Sequence, residues 1–250
     1  MRLTIDPALD PAAMAKVFRR LGRLHIPGFL AGDGAPRVAA ALAGPEVPWV
    51  KTWRTTGPSL DGDLAQFDGM TPENRAAFDA DMKTAAKSGF CFQFDAWRVS
   101  DDITRGVRRG GALAPIEAVH DFVNGAAFLD FVARLTGEAR GDFADTMASR
   151  YRPGDFLSAH DDLVSGKNRL FAYVLGFTKG WRADWGGLLA FIGEDGHVEE
   201  AWTPAFNTLN LFRVPKPHAV TQVADYAGGD RLSITGWMRS RYRPTAQAPR

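Results

Sequence analysis

The chain has 250 residues, of which 45% are hydrophobic, so it can bury a sizeable core. Its net charge is only +1, which gives no strong field to attract nucleic acid or an anionic membrane surface. No apolar run reaches the roughly 18 residues of a transmembrane helix, and the first residues lack a signal-peptide pattern. The only cysteine, Cys91, cannot form an internal disulfide. These features predict a cytoplasmic protein that binds neither membranes nor nucleic acid.

The first 142 residues show the apolar spacing of a helix-rich region. Asp10 is placed to cap a first helix with Pro11 at its first position, and Thr71 with Pro72 repeats this start signal. We predict helices over residues 10–21, 71–87 and 115–135, and short extended segments at 24–29 and 89–99. The stretch 44–69 is rich in Pro, Gly and Asp, and we interpret it as a long loop that could act as a lid.

Beyond residue 142 the pattern changes to short strands, which are separated by turn residues such as Pro153-Gly154 and Gly228-Gly229. We predict strands over residues 146–152, 155–160, 170–178, 188–193, 198–202, 208–214, 218–223 and 231–239. Short strands at this spacing are typical of a sandwich or barrel. The expected fold is a single α+β domain, residues 1–250. Its mainly β core, a barrel over 143–242, is flanked by the helices of 1–142.

The segment His160-Asp161-Asp162 is the first chemical signal. If it is extended, the side chains of His160 and Asp162 share one face because strand side chains alternate. A third metal ligand must then come from a distant strand, and His218, at the start of an apolar strand, is the best candidate. Two histidines and one carboxylate form the facial triad of Fe(II) oxygenases. Each fragment alone also fits a purely structural interpretation without a metal: a surface turn for His-x-Asp, and a hydrogen-bonded core histidine for His218.

The predicted last strand supplies a second signal. Arg231, Ser233, Thr235 and Trp237 share one face, whereas the intervening residues are mostly apolar. An arginine inside a barrel is costly unless it is paired, and a bound carboxylate ligand would pair it through a two-pronged contact. Ser233 could add a hydroxyl donor. The alternative is an ordinary strand arginine in a salt bridge or in solvent.

Together these segments resemble the 2-oxoglutarate/Fe(II) oxygenases of the prolyl hydroxylase type. Residues 151–162 match the pattern Tyr-x-x-Gly-x-x-Leu-x-x-His-x-Asp. Further similar segments follow in family order at residues 185–191, 207–212, 218–223 and 231–237. The subgroup that hydroxylates a prolyl residue of a ribosomal protein shares the His-Asp-Asp form. The resemblance implies a double-stranded β-helix, or jelly roll.

The resemblance also implies roles for individual residues. It makes His160, Asp162 and His218 the catalytic iron ligands, and Arg231 the partner of the distal carboxylate of 2-oxoglutarate. Tyr151 would donate its hydroxyl to that carboxylate, unless it is simply an aromatic core residue. Ser233 and Tyr173 are further candidates for the same pocket.

The implied activity is hydroxylation of a prolyl residue in a protein or peptide, which consumes 2-oxoglutarate and O₂ at Fe(II) and releases succinate and CO₂. Ascorbate could serve as a reductant. Two other hypotheses stay open at this stage. The substrate could be a small amino acid or other metabolite, or the barrel could be a non-catalytic, cupin-like module that binds a metal or ligand.

Overall fold

The computed structural model describes residues 1–241, so residue 242, the predicted end of the barrel, lies outside the described part. The described chain contains thirteen strands in one sheet. These strands are β1 (Arg23–Pro27), β2 (Val50–Arg54), β3 (Leu60–Asp63), β4 (Phe92–Trp97), β5 (Phe143–Ala144), β6 (Met147–Tyr151), β7 (Phe156–His160), β8 (Arg169–Phe177), β9 (Leu189–Ile192), β10 (Val198–Trp202), β11 (Phe206–Arg213), β12 (His218–Val220) and β13 (Arg231–Arg239). All eight strands predicted in the second half are therefore confirmed, although β12 ends earlier than expected.

Seven α-helices accompany the sheet in the described residues. They are α1 (Pro11–Leu21), α2 (Gly34–Leu42), α3 (Leu64–Asp68), α4 (Pro72–Ala86), α5 (Val99–Thr104), α6 (Ala114–Val123) and α7 (Ala126–Thr136). The two predicted start signals are confirmed, because the side chains of Asp10 and Thr71 accept bonds from backbone N–H groups of α1 and α4. No described helix is long and apolar enough to cross a membrane.

The single helix predicted over residues 115–135 is wrong, because α6 and α7 are separate helices. The break lies at Asn124-Gly125, where Gly125 has an extended backbone. The Asn124 side chain accepts a bond from the Ala144 N–H (2.9 Å) and donates to the Ala144 carbonyl (3.0 Å). This exchange ties the break to β5, and a short polar side chain that competes for backbone groups is typical of such an interruption.

The sheet curls into a nearly closed barrel with the strand order β1-β11-β8-β13-β6-β4-β7-β12-β9-β10. The two end strands are joined by side chains, because Arg23 of β1 forms ion pairs of 2.7 Å with Glu199 and Glu200 of β10. The main hydrophobic core lies between the helices and the outer face of the sheet, where Phe29, Phe128 and Ile234 are buried. The inner face is left to surround a cavity. The predicted double-stranded β-helix flanked by helices is thus confirmed.

The interpretation of residues 44–69 as a long loop is wrong. The strands β2 and β3 form a hairpin in this stretch, and α3 follows directly, with Asp63 accepting a bond from the Gln66 N–H at its start. Strand β2 also pairs with β4, so the hairpin extends the barrel sheet. The abundance of Pro, Gly and Asp reflects the turns on both sides of short strands. The lid role of this stretch stays a prediction.

A buried ion cluster attaches the hairpin to the barrel. Lys51 of β2 is only 1% exposed and forms ion pairs with Asp95 of β4 and with Asp155, which precedes β7. Arg150 and Arg152 also bind Asp95, at 2.8 and 2.9 Å. Burial raises the pKa of Asp155 to about 6. Because this folded-state pKa lies above the ordinary value, the contribution of Asp155 to stability is lost as the pH rises through about 6.

We predict that Lys51→Met lowers the free energy of unfolding by about 3–5 kcal/mol at pH 7, because it leaves buried carboxylate charge without its cation. The loss should shrink toward pH 5, where Asp155 is protonated. Urea unfolding at both pH values measures this. The matched control is Arg37→Met, which removes an exposed cation 3.8 Å from Asp33 and should change stability by less than about 0.5 kcal/mol. Equal effects of the two substitutions would contradict the prediction.

Candidate metal centre and cosubstrate pocket

A cavity of about 890 Å³ opens into the barrel from its solvent-facing mouth. Apolar side chains from several strands form much of its wall, among them Phe92, Phe94, Leu157, Val174, Leu189, Phe212 and Val220. The polar residues that reach it include the three candidate metal ligands and Arg231. A largely apolar cavity with a few convergent polar groups is the usual form of a ligand site.

The two histidines are brought together by strand pairing. His160 ends β7 and His218 begins β12, and the two residues face each other across the antiparallel pair. Their ring centroids lie 4.2 Å apart. Asp162 joins them differently from the expectation, because the strand ends at His160 and Asp162 has a left-handed backbone with φ of 65°. An Asp tolerates this conformation better than most residues, and the turn directs its carboxylate back toward both histidines.

Hydrogen bonds fix the orientation of both imidazole rings. The Nδ1 atom of His160 lies 2.9 Å from the Ser158 carbonyl, and that of His218 lies 2.7 Å from the Lys216 carbonyl. Carbonyl oxygens only accept, so each Nδ1 is the donor, and in the neutral form of each ring Nε2 keeps a free lone pair. The Nε2 atoms lie 3.4 and 3.5 Å from the two carboxylate oxygens of Asp162. This is the arrangement in which a histidine is ready to bind a metal.

The charge states of the cluster suit a cation. Burial, reinforced by the neighbouring His160, lowers the pKa of His218 to about 4, so its ring is neutral at physiological pH. For Asp162, burial alone would raise the pKa. The contacts of its carboxylate with His160 and His218 outweigh burial and lower the pKa below its ordinary value. The cluster therefore offers the neutral imidazole of His218 and the carboxylate of Asp162, beside the ring of His160.

These three residues fit a bound Fe(II) ion. One ligand atom from each lies within 4.8 Å of the others, so one ion can touch all three. Two imidazoles and a carboxylate on one side of a metal match the facial triad of Fe(II) oxygenases, which leaves further coordination positions open. Among the described residues, this is the one group of three or more His, Cys, Asp and Glu side chains that lie close enough together to hold a metal.

Arg231 lies in the same cavity and fits an anionic ligand. It is only 5% exposed, and its guanidinium stacks on the ring of Tyr151 at 4.8 Å. Among residues 1–241, no carboxylate forms a salt bridge with it. Burial lowers the pKa of Arg231 and raises that of the Tyr151 hydroxyl, so the pair presents a charged fork beside a neutral donor. Ser233 lines the same wall, with its Oγ 2.8 Å from that of Ser149.

Tyr173 is the one predicted pocket residue that the structure places elsewhere. It belongs to β8, where the neighbours Ala172 and Val174 face the cavity, so the strand alternation directs Tyr173 to the opposite face. Its ring packs in the main core and its hydroxyl donates to the Asp145 carbonyl at 2.6 Å. Burial raises the pKa of this hydroxyl. The proposed contact between Tyr173 and 2-oxoglutarate is therefore wrong.

Arg169 is a residue of this site that the sequence analysis missed. Its Nη1 donates to the Asp162 carbonyl at 2.9 Å and lies 3.6 Å from the Asp162 carboxylate. The central carbon of its guanidinium lies over the ring of Trp237, 3.5 Å from the centroid. The period-two alternation of the sequence places Arg169 on the same face as Phe171 and Tyr173, which lie in the core. A register shift at the end of β13 breaks this alternation, so Arg169 lines the cavity instead.

Comparison with known proteins agrees with this geometry. A sequence profile of the 2OG-Fe(II) oxygenase superfamily matches residues 146–239. Prolyl 3-hydroxylase OGFOD1 from Mus musculus is 29% identical over 129 residues, which are 49% of this chain and 23% of the mouse protein. The chain therefore spans less than a quarter of that curated relative.

Solved structures extend the likeness to the whole fold. A Pseudomonas putida prolyl-4-hydroxylase superimposes with a TM-score of 0.56 at 21% identity and covers 92% of this chain and 99% of its own. A prolyl hydroxylase from Trichoplax adhaerens, in complex with a hypoxia inducible factor peptide, gives a TM-score of 0.57 at 16% identity, covering 92% and 89%. That superfamily uses Fe(II), 2-oxoglutarate and O₂. Residues 146–239 of this chain, its barrel part, are therefore similar to the 2OG-Fe(II) oxygenase superfamily.

Proposed function

We propose that this chain is a 2-oxoglutarate- and Fe(II)-dependent hydroxylase that acts on a prolyl residue of a protein or peptide. One observation carries the proposal. The cluster of His160, Asp162 and His218 shares a cavity with Arg231, a buried cation without a carboxylate partner among the described residues. A metal triad and a separate buried carboxylate receptor are the two parts that this chemistry needs.

The residues of the cavity would have separate roles in this reaction. When bound, Fe(II) and 2-oxoglutarate supply the oxidative decarboxylation to succinate and CO₂ that drives insertion of oxygen into a C–H bond. His160, Asp162 and His218 would hold the metal through their free Nε2 atoms and a carboxylate oxygen. The Arg231 fork and the Tyr151 hydroxyl would hold the distal carboxylate and so fix the cosubstrate in one orientation. No side chain needs to act as nucleophile or general base.

The apolar wall contributes by excluding water. Phe92, Leu157 and Val220 line the cavity between the strands that carry the metal ligands and Arg231. A dry site strengthens the charge interactions of Arg231 and protects reactive species from solvent. The hairpin of β2 and β3 reaches the same cavity through Thr52, Arg54 and Ser59, so the lid that we propose for residues 44–69 would close from this side.

The prolyl substrate is proposed from the relatives, one of which is named as a prolyl 3-hydroxylase and two as prolyl hydroxylases of solved structure. The cavity adds support because its mouth carries exposed apolar residues, Leu163 and Val164, that could contact a peptide. A small amino acid or other metabolite remains the second candidate substrate. A non-catalytic metal-binding barrel is the third hypothesis, and Arg231 argues against it because it is buried without a carboxylate partner among the described residues. Cytoplasmic location and lack of nucleic-acid binding stay predictions.

We predict that anaerobic addition of Fe(II) and then 2-oxoglutarate to the metal-free protein produces the weak visible charge-transfer band of the chelate. The band should disappear in His160→Ala, because one of the three ligands is lost. The matched control is His197→Ala, which removes an exposed histidine from the turn between β9 and β10 and should keep the band. If folded, Fe(II)-loaded wild-type protein gives no band, 2-oxoglutarate does not chelate the metal and the non-catalytic hypothesis takes the lead.

We predict that Arg231→Met weakens 2-oxoglutarate binding by about 30- to 1000-fold, because truncating one partner of a buried charge pair costs about 2–4 kcal/mol. Fe(II) affinity should be unchanged. Calorimetric titration of 2-oxoglutarate into Zn(II)-loaded protein measures the first effect, and titration of the metal measures the second. Arg182→Met, which removes an exposed arginine outside the cavity, is the control. Unchanged 2-oxoglutarate affinity in Arg231→Met would remove the cosubstrate role.

We predict that prolyl peptides increase succinate formation and gain one oxygen atom on the proline ring, as measured by mass spectrometry of the peptide. Arg231→Met should abolish both signals. Peptides in which alanine replaces the proline are the control and should give only background succinate. If free amino acids are hydroxylated and no prolyl peptide is, the small-molecule candidate replaces the prolyl one.

A further inference from the structure

Two arginines stand opposite each other on the cavity face of the barrel. Arg169 begins β8 and Arg239 ends β13, and the antiparallel pairing of the two strands makes them cross-strand partners. Both line the same cavity as the metal cluster. Arg239 lies eight positions after Arg231 along the strand, which corresponds to about 26 Å between their Cα atoms. A single 2-oxoglutarate therefore cannot contact both Arg231 and this pair, and the pair requires a different explanation.

Both guanidinium groups keep an unused donor inside the protein. The Nε atoms of Arg169 and Arg239 are buried and have no hydrogen-bond partner among the described residues. Such groups are costly, and a buried N–H without an acceptor usually marks a missing ligand or water. Arg169 is held rigidly by its stacking on Trp237 and by the Asp162 carbonyl. Arg239 is held by Asp145, whose carboxylate lies 2.6 Å away in an ion pair that does not form an aligned hydrogen bond.

The charges around Arg169 and Arg239 also favour the binding of an anion. Two like charges directly across a strand pair repel each other. Asp145 offsets Arg239, and Asp162 is the carboxylate that offsets Arg169. If Asp162 binds Fe(II), its negative charge is shared with a dication, and Arg169 is left to share the carboxylate of Asp145 with Arg239. Asp101 also lines this part of the cavity, but it is exposed and its charge is screened by solvent.

We propose that Arg169 and Arg239 bind a carboxylate of the primary substrate and thereby place its reacting C–H bond beside the metal. This inference rests on the proposed function and specifies the substrate class of the same cavity. Two guanidinium groups with free edges match the two oxygens of one carboxylate. The contact of Arg169 with Asp162 makes the location productive, because a group bound to the free edge of Arg169 lies next to a metal ligand. The carboxylate can belong to an acidic side chain near the target residue or to a free amino acid.

The test uses defined probes and a binding readout that does not depend on turnover. Zn(II)-loaded protein with saturating 2-oxoglutarate is titrated by calorimetry with blocked tetrapeptides that carry Asp on either side of proline, and with the matching Asn peptides. Free L-proline and L-prolinamide form a second pair. We expect the carboxylate member of one pair to bind about 10- to 100-fold tighter, as for a charge-assisted hydrogen bond. If only the Asp peptides bind more tightly than their Asn counterparts, the bound carboxylate belongs to an acidic side chain. If only L-proline binds more tightly than L-prolinamide, the carboxylate belongs to a free amino acid.

Arg239→Gln should remove this advantage without changing the affinity for Zn(II) or 2-oxoglutarate, because Arg239 touches neither the metal ligands nor Arg231. Arg239→Lys, which keeps the charge and loses the fork, should retain part of it and shows that a folded variant still responds. Arg182→Gln, an exposed arginine outside the cavity, should retain all of it. Equal binding of acidic and amide probes, no binding of any acidic probe, or an unchanged advantage in folded Arg239→Gln would overturn the inference.

The outcomes separate this inference from the proposed function. Hydroxylation of prolyl peptides with no preference for a carboxylate removes the anion site and leaves the hydroxylase. Binding of carboxylate probes that depends on Arg239, without hydroxylation of any of them, keeps the anion site and removes the prolyl substrate.

Discussion

The pairing of β7 with β12 is the constraint on which the site depends. It sets His160 opposite His218, and the carbonyls of Ser158 and Lys216 then fix both rings. Side chains alternate along a strand, so a slip of one residue would turn one imidazole out of the cavity. The chain also leaves the extended conformation at Asp162, through a left-handed backbone that few residue types tolerate. Strand register and one unusual torsion therefore assemble a cluster from residues far apart in sequence.

Much of this arrangement follows from local patterns. The period-two alternation of the last strand predicted that Arg231 and Ser233 share one face, and both line the cavity, whereas the apolar Ile234 between Ser233 and Thr235 packs in the main core. Caps, prolines and turn residues located α1, α4 and all eight strands of the second half. These features depend on short-range chemistry, namely side-chain alternation and the satisfaction of backbone groups at chain turns.

What the sequence did not reveal depends on long-range contacts. The hairpin of β2 and β3 is short and rich in turn residues, and its stability comes from pairing with β4 and from the buried Lys51. Neither the pairing with β4 nor the ion pairs of Lys51 can be identified from the sequence of the hairpin itself. Tyr173 was assigned to the pocket by resemblance, although strand alternation directs it into the core. Arg169 was missed because its importance comes from the distant Asp162 and Trp237, which meet it only in the folded barrel.

The barrel interior holds charged groups in two different ways. In the cluster around Lys51, cations and carboxylates compensate one another, so the hairpin is attached to the barrel without any ligand. Within the cavity, Arg231 has no carboxylate partner among the described residues, and Arg169 shares Asp162 with two histidines. A buried charge that lacks compensation destabilises the free protein and binds a complementary ligand more strongly for the same reason. The part of the barrel in which the buried charges are paired therefore maintains the fold, and the part in which they lack full pairing receives ligands.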